Sequence, residues 1–196
     1  MRRVAVTTVG ALMLALAGAG LLARGHTQSP GGFQVARSAD GFQYVDEHGN
    51  IRHPDRVRDT FPSLGATWVN GDPEGEMHLV WATAGTAAAY RLNHQFADGA
   101  VLVKEVLAGA HGRMTTGQAN WASDETKVWF VMIKDRKGRY PGNPLWGDGW
   151  GWALFKSDAP NTQVATDYRK DCLPCHQPAR ATDWVYVKSY PVLTHE

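Results

Sequence analysis

Apolar and polar positions along the chain alternate with short periods, and long helical stripes are missing. Met77 to Trp81 (MHLVW), Val101 to Leu107, Lys127 to Lys134 (KVWFVMIK), Trp150 to Lys156 (WGWALFK) and Trp184 to Lys188 (WVYVK) each read as a strand. Turn chemistry separates them: His48-Gly49-Asn50, Asp98-Gly99 and the run DRKGRYPGNP. One segment, Thr86 to His94, has helical character, with Thr86 as its candidate N-cap. Thr166 to Gln177 is a second, limited by Pro174 and Pro178. The pattern predicts an α+β fold, mainly a twisted antiparallel sheet with two or three short helices.

Strand alternation sorts side chains by face. Leu102, Lys104 and Val106 share one face, while Val101, Val103, Glu105 and Leu107 share the other. Both faces are largely apolar. Lys104 is therefore expected to lose water, which lowers its pKa and frees a nucleophilic amine. Glu105 points away from it and reads as a structural or surface carboxylate.

The N-terminus adds a different kind of segment. Arg2 and Arg3 precede a nearly continuous small and apolar run, Val4 to Leu22. This reads as a secretory signal, or as an N-terminal anchor if it is retained. Residues 1–25 are assigned to it and residues 26–196 to one folded domain. Export to a periplasmic, oxidising compartment is expected. With 20 basic and 19 acidic residues the formal charge is +1, which leaves no electrostatic footprint for nucleic acid. The 21 glycines and eight tryptophans favour turns and bulky packing over a helix bundle.

The only two cysteines stand together in DCLPCHQP. Cys172-x-x-Cys175-His176 is the attachment signature of c-type haem. Two thiols add across the haem vinyl groups, and the adjacent imidazole is held as proximal iron ligand. A disulfide, a redox dithiol and a zinc site are the alternatives. Zinc would need a fourth ligand, for which His78, His94 and His111 are available. Those histidines, with Met77, Met114 and Met132, are also formal candidates for a sixth iron ligand. Each reads as an ordinary surface or core residue. The Gly- and Trp-rich run Tyr140 to Trp152 reads as packing. Arg169 and Asp183 flank the motif, where they would bond the imidazole or a haem propionate, or form a surface pair.

The motif is followed by Thr182-Asp183, Val185-Tyr186 and Tyr190-Pro191-Val192-Leu193, and preceded by Phe96-x-Asp98-Gly99-x-Val101-x-Val103-Lys104-Glu105. Together these residues resemble the cytochrome P-460 family, from about Met77 to Leu193. The resemblance implies a mainly β fold, usually a homodimer, with one covalent haem c per chain, His176 as proximal ligand and an open distal face. Members called cytochrome P-460 oxidise hydroxylamine and pass electrons to a redox partner cytochrome. Members called cytochrome c′-beta bind nitric oxide. In the former a lysine at the position of Lys104 is bonded to the haem edge, and a carboxylate on the following strand serves as base. Phe130 stands at that carboxylate's position, and a phenylalanine caps the distal face in the gas-binding branch. Asp124 and Glu125 lie just upstream as substitutes, or as a polar turn. A simple electron carrier with two axial ligands is the third reading.

Overall fold

The computed structural model describes residues 40–71 and 74–194; the expected signal or anchor, residues 1–25, lies outside them. Seven strands form one antiparallel sheet: β1 (Ser63–Val69), β2 (Glu76–Ala82), β3 (Val101–Met114), β4 (Gly117–Lys134), β5 (Trp146–Gly147), β6 (Trp150–Lys156) and β7 (Ala159–Gln163). The order is β1-β2-β3-β4-β6-β5, with β7 also on β6. Four short helices accompany it: α1 (Val57–Thr60), α2 (Thr86–Asn93), α3 (Tyr168–Asp171) and α4 (Leu173–His176). The expected α+β class is therefore observed.

The sheet is buried on both faces, as the doubly apolar strands require. One face carries Leu64, Val80, Leu102, Met132, Trp150 and Trp152. It packs beneath Tyr90 of α2 and the C-terminal residues Tyr168, Cys172, Trp184, Val185, Val187, Tyr190 and Leu193. The other face carries Val101, Val103, Val131, Ile133, Ala153 and Phe155. Ile51, Val57 and Phe61, from the segment preceding β1, cover it. Odd and even positions of β3 thus serve two separate cores.

Several elements extend beyond the sequence pattern. β3 continues past Leu107 to Met114, and β4 begins at Gly117 instead of Lys127. The outer half of this hairpin pairs with itself in register, from Gly109 opposite Ala122 to Met114 opposite Gly117. Backbone pairing therefore sustains strands where the apolar alternation fades. Asp124 and Glu125 consequently lie in a strand, exposed, and not in a turn. Strands β1, β5 and β7 lacked a legible pattern.

Two expectations are corrected. Trp184 to Lys188 is not a strand. Asp183 and Trp184 have φ of 57° and 68°, a left-handed turn, and a 3-10 turn follows at Val187–Ser189. The segment folds over the sheet face, so its apolar residues are buried without β-pairing. The N-cap of α2 is Gly85, at φ 82°, and not Thr86. The Thr86 hydroxyl instead meets the Thr83 hydroxyl at 2.9 Å. The Asp98-Gly99 turn is present, with Gly99 at φ 80°, a conformation that favours glycine.

On the face away from Lys104, Glu105 is 1% exposed. It accepts from Arg58 Nη2 at 2.5 Å, Arg58 Nε at 3.0 Å and Thr126 Oγ1 at 2.8 Å. A buried carboxylate is tolerable only with such partners. Arg58→Ala is expected to destabilise the fold by about 1–3 kcal/mol, less than a fully buried pair because Arg58 is half-exposed. Arg58→Lys should recover part of the loss; urea unfolding midpoints measure both.

Candidate haem site

A cavity of about 370 Å³ lies between the sheet and the C-terminal segment. Its sheet wall consists of Thr67 from β1, His78 and Val80 from β2, Leu102 and Lys104 from β3, and Phe130 and Met132 from β4. Cross-strand register assembles this wall: Lys104 stands opposite Val80 on one side and Phe130 on the other. The opposing lining comprises Cys175, His176, Val185, Tyr186, Ser189 and Tyr190. Lys104, Phe130, Cys175 and His176, far apart in sequence, therefore share one cavity. Cys172 lies beside it, buried in the adjoining core.

Lys104 stands where alternation puts it, on the inward face. Its Nζ lies 4.2 Å from the centre of the Phe130 ring. Desolvation lowers its pKa, and the nearby Cys175, Glu76 and Cys172 oppose that shift when charged. Phe130 brings an apolar ring to the wall and no carboxylate. Asp124 and Glu125 are absent from the lining, so neither substitutes there.

The imidazole of His176 is fixed by its backbone surroundings. Its Nδ1 is 2.7 Å from the Trp184 carbonyl oxygen, which accepts from it. That contact assigns the proton to Nδ1 and leaves Nε2 with a free lone pair. Burial pushes the imidazole pKa down, so the ring is held neutral; the Trp184 bond opposes this. Trp152 meets the ring edge-on at 4.9 Å. Tyr168 stacks on Trp152 at 5.9 Å, and its phenol rests directly on Gly147, where a Cβ would overlap it. The Tyr186 hydroxyl donates to the Cys175 carbonyl at 2.6 Å.

The turn that presents the Trp184 carbonyl is itself clamped. Asp183 accepts from Lys134 Nζ at 2.5 Å and from the Phe96 backbone N–H at 3.1 Å. Lys134 also lies 4.7 Å from the centre of the Trp150 ring. Asp183 therefore pairs with Lys134, and Arg169 remains exposed near Asp167. Neither Asp183 nor Arg169 bonds the imidazole.

These features suit a c-type haem. The cavity is mostly apolar, as a macrocycle requires. One side offers two unpaired thiols and a neutral imidazole with a free nitrogen. Burial raises the Cys172 thiol to about 12, so it stays protonated. No cluster of three or more His, Cys, Asp or Glu side chains suited to a metal ion occurs among the described residues, which disfavours the zinc alternative. Of the other axial candidates, His78 and Met132 line the cavity, whereas His94, His111, Met77 and Met114 do not. Sequence reading set His78 aside, although it shares a strand face with Val80. Thr67 was missed because β1 left no pattern, and Ser189 because it lies just past the stretch read as a strand; Tyr190 had been noted only for the resemblance it carries.

The Lys134–Asp183 pair generates a prediction. Both side chains are largely buried, at 8% and 13% exposure. Asp183→Ala should cost about 3–5 kcal/mol by leaving the Lys134 ammonium buried and unpaired. Adding Lys134→Met should recover part of that loss, as a double-mutant cycle by thermal unfolding would read.

No curated protein matches the chain. A family model described as cytochrome P-460 matches residues 59–187, which span all the cavity-lining residues except Ser189 and Tyr190. The chain belongs to the cytochrome P-460 family of haem c proteins.

Proposed function

We propose that this is an exported c-type haem protein that oxidises hydroxylamine, or processes nitric oxide, at an open distal iron site. Supporting it most is the location of Lys104, a desolvated amine on the same cavity as Cys175 and His176. Bound there, a c-type haem supplies a redox-active iron that binds a small nitrogenous ligand and takes up its electrons. Cys172 and Cys175 hold the macrocycle through thioethers. His176 offers Nε2 to the iron while the Trp184 carbonyl holds Nδ1. Lys104 brings to the macrocycle edge an amine whose pKa burial lowers, which favours bond formation there. Val80, Leu102 and Met132 exclude water around it. Periplasmic location, a homodimer and a partner cytochrome that receives the electrons complete the reading.

Phe130 favours a second reading, a nitric-oxide-binding protein without turnover. Its ring lies on the sheet wall beside Lys104 and supplies no base.

Peptide mass mapping of the oxidised holoprotein separates the two. Hydroxylamine oxidation requires Lys104 modified by the haem, with one haem retained through Cys172 and Cys175 after acid-acetone extraction. Lys104→Leu and Lys104→Arg should keep the thioether-bound haem, lose the red-shifted ferrous absorption band and lose turnover. Unmodified Lys104 in fully loaded protein would assign the chain to the gas-binding reading. Resonance Raman should show five-coordinate iron; low-spin iron in both oxidation states that rejects nitric oxide would instead indicate an electron carrier.

A further inference from the structure

The ionisable residues lining the cavity are His78, Lys104, Cys175, His176, Tyr186 and Tyr190. On the reading proposed above, Cys175, His176 and Lys104 are committed to the haem. The Tyr186 hydroxyl is committed to the Cys175 carbonyl. Tyr190 is buried, and desolvation pushes its pKa up, so it keeps its proton. His78 alone remains free to exchange one.

His78 sits on β2, opposite Thr67 of β1 and Val106 of β3. Lys104 faces it from β3 and lowers its pKa only while the amine is charged, a contribution that ends once the amine bonds the haem. Glu76 lies on its own strand, and Lys127 reaches Glu76 from β4. The C-terminal layer contributes Cys175, His176, Tyr186 and Tyr190 to the same cavity. His78 Nε2 is 3.3 Å from Glu76 Oε2, and Lys127 Nζ donates to Glu76 Oε1 at 3.0 Å. Those contacts lower the Glu76 pKa, the Lys127 bond most, so Glu76 is an anion at neutral pH. A carboxylate only accepts. It therefore fixes the neutral imidazole's proton on Nε2 and leaves Nδ1 as the basic nitrogen. Glu76 is 36% exposed in its side chain and so connects the pair to water.

We propose that His78 is the proton acceptor of this cavity for a small protic nitrogen ligand of the hydroxylamine class, and that Glu76 is its positioning residue and outlet to solvent. An N–H or O–H bond of the ligand breaks heterolytically, the electron pair stays on the ligand, and the proton passes to Nδ1. The imidazolium then returns its Nε2 proton through Glu76 to water. This supplies, from β2, the base that Phe130 cannot supply from β4. Desolvation holds the imidazole below its ordinary 6.5, while Glu76 opposes it, so the ring is neutral and receptive at pH 7.

The proposal rests on the hydroxylamine reading for its substrate, so its test includes a readout independent of turnover. In the ferrous carbon monoxide adduct of the holoprotein, the C–O stretch should shift with pH in one proton step, with a midpoint below 6.5. His78→Leu should abolish the step at unchanged haem content. Glu76→Gln should move the midpoint lower, because the anion that raised it is gone. Hydroxylamine turnover should fall about 100-fold in His78→Leu. In Glu76→Gln the acid limb of the pH profile should move to lower pH, a signed shift that a merely structural role would not produce. A proton step that survives His78→Leu, no step at all, or iron that refuses carbon monoxide because His78 ligates it would each overturn the proposal. A wild type without hydroxylamine turnover would sink the enzyme reading, while the infrared titration would still decide whether His78 exchanges a proton beside the bound ligand.

Discussion

The pairing register of β3 with its two neighbours decides what the cavity contains. A strand side chain has two faces to choose from, and here both are buried, so a shift of one residue exchanges one core for the other. In the observed register Lys104 enters the cavity between Val80 and Phe130, and Glu105 enters the opposite core to meet Arg58. The slipped register would bring Glu105 to the cavity and bury the Lys104 amine beside Arg58. Electrostatics and apolar burial therefore specify the same alignment. That agreement holds the amine at the site, since a lone lysine in an apolar strand has little preference of its own.

The opposing wall is built by different means. It has no ladder to fix it, and its backbone turns through consecutive left-handed residues at Asp183 and Trp184. Such a conformation costs free energy in residues with a Cβ. The buried Lys134–Asp183 pair and the bond from the Trp150 indole to the Asp183 carbonyl hold it. The result is a carbonyl directed at His176. Sheet and turn are thus coupled through Lys134, whose backbone ends β4 and whose ammonium anchors the opposite layer.

Much of this was legible in the residues. Two-residue alternation in VLVKEVL gave the faces of β3, including the inward Lys104 and outward Glu105. The cysteine–histidine spacing marked the C-terminal lining, and the match of the lysine strand brought Phe130 to the same wall. What stayed hidden depends on distant partners. Ser63–Val69 is a strand because β2 lies beside it, and its own pattern is too mixed to say so. WVYVK has strand composition, yet the preceding turn directs it across a finished sheet face, where burial satisfies it without pairing. His78 looked like an ordinary strand residue until Glu76 and the cavity gave its two nitrogens separate roles.

Chain order adds a consequence for assembly. The seven strands are complete by Gln163, and Cys172 through Tyr190 follow them. The sheet wall, with its lysine and phenylalanine, is thus encoded wholly before the thiols and imidazole that face it. Short connections join β1 to β2 and β3 to β4, so these two pairs can form as local hairpins, which meet through the longer connection that carries α2. The cavity has no counterpart at that stage, because nothing yet roofs it. It comes into being only when the later segment lies down across the sheet, which makes the docking of that segment the event that separates a folded scaffold from a site able to enclose a ligand.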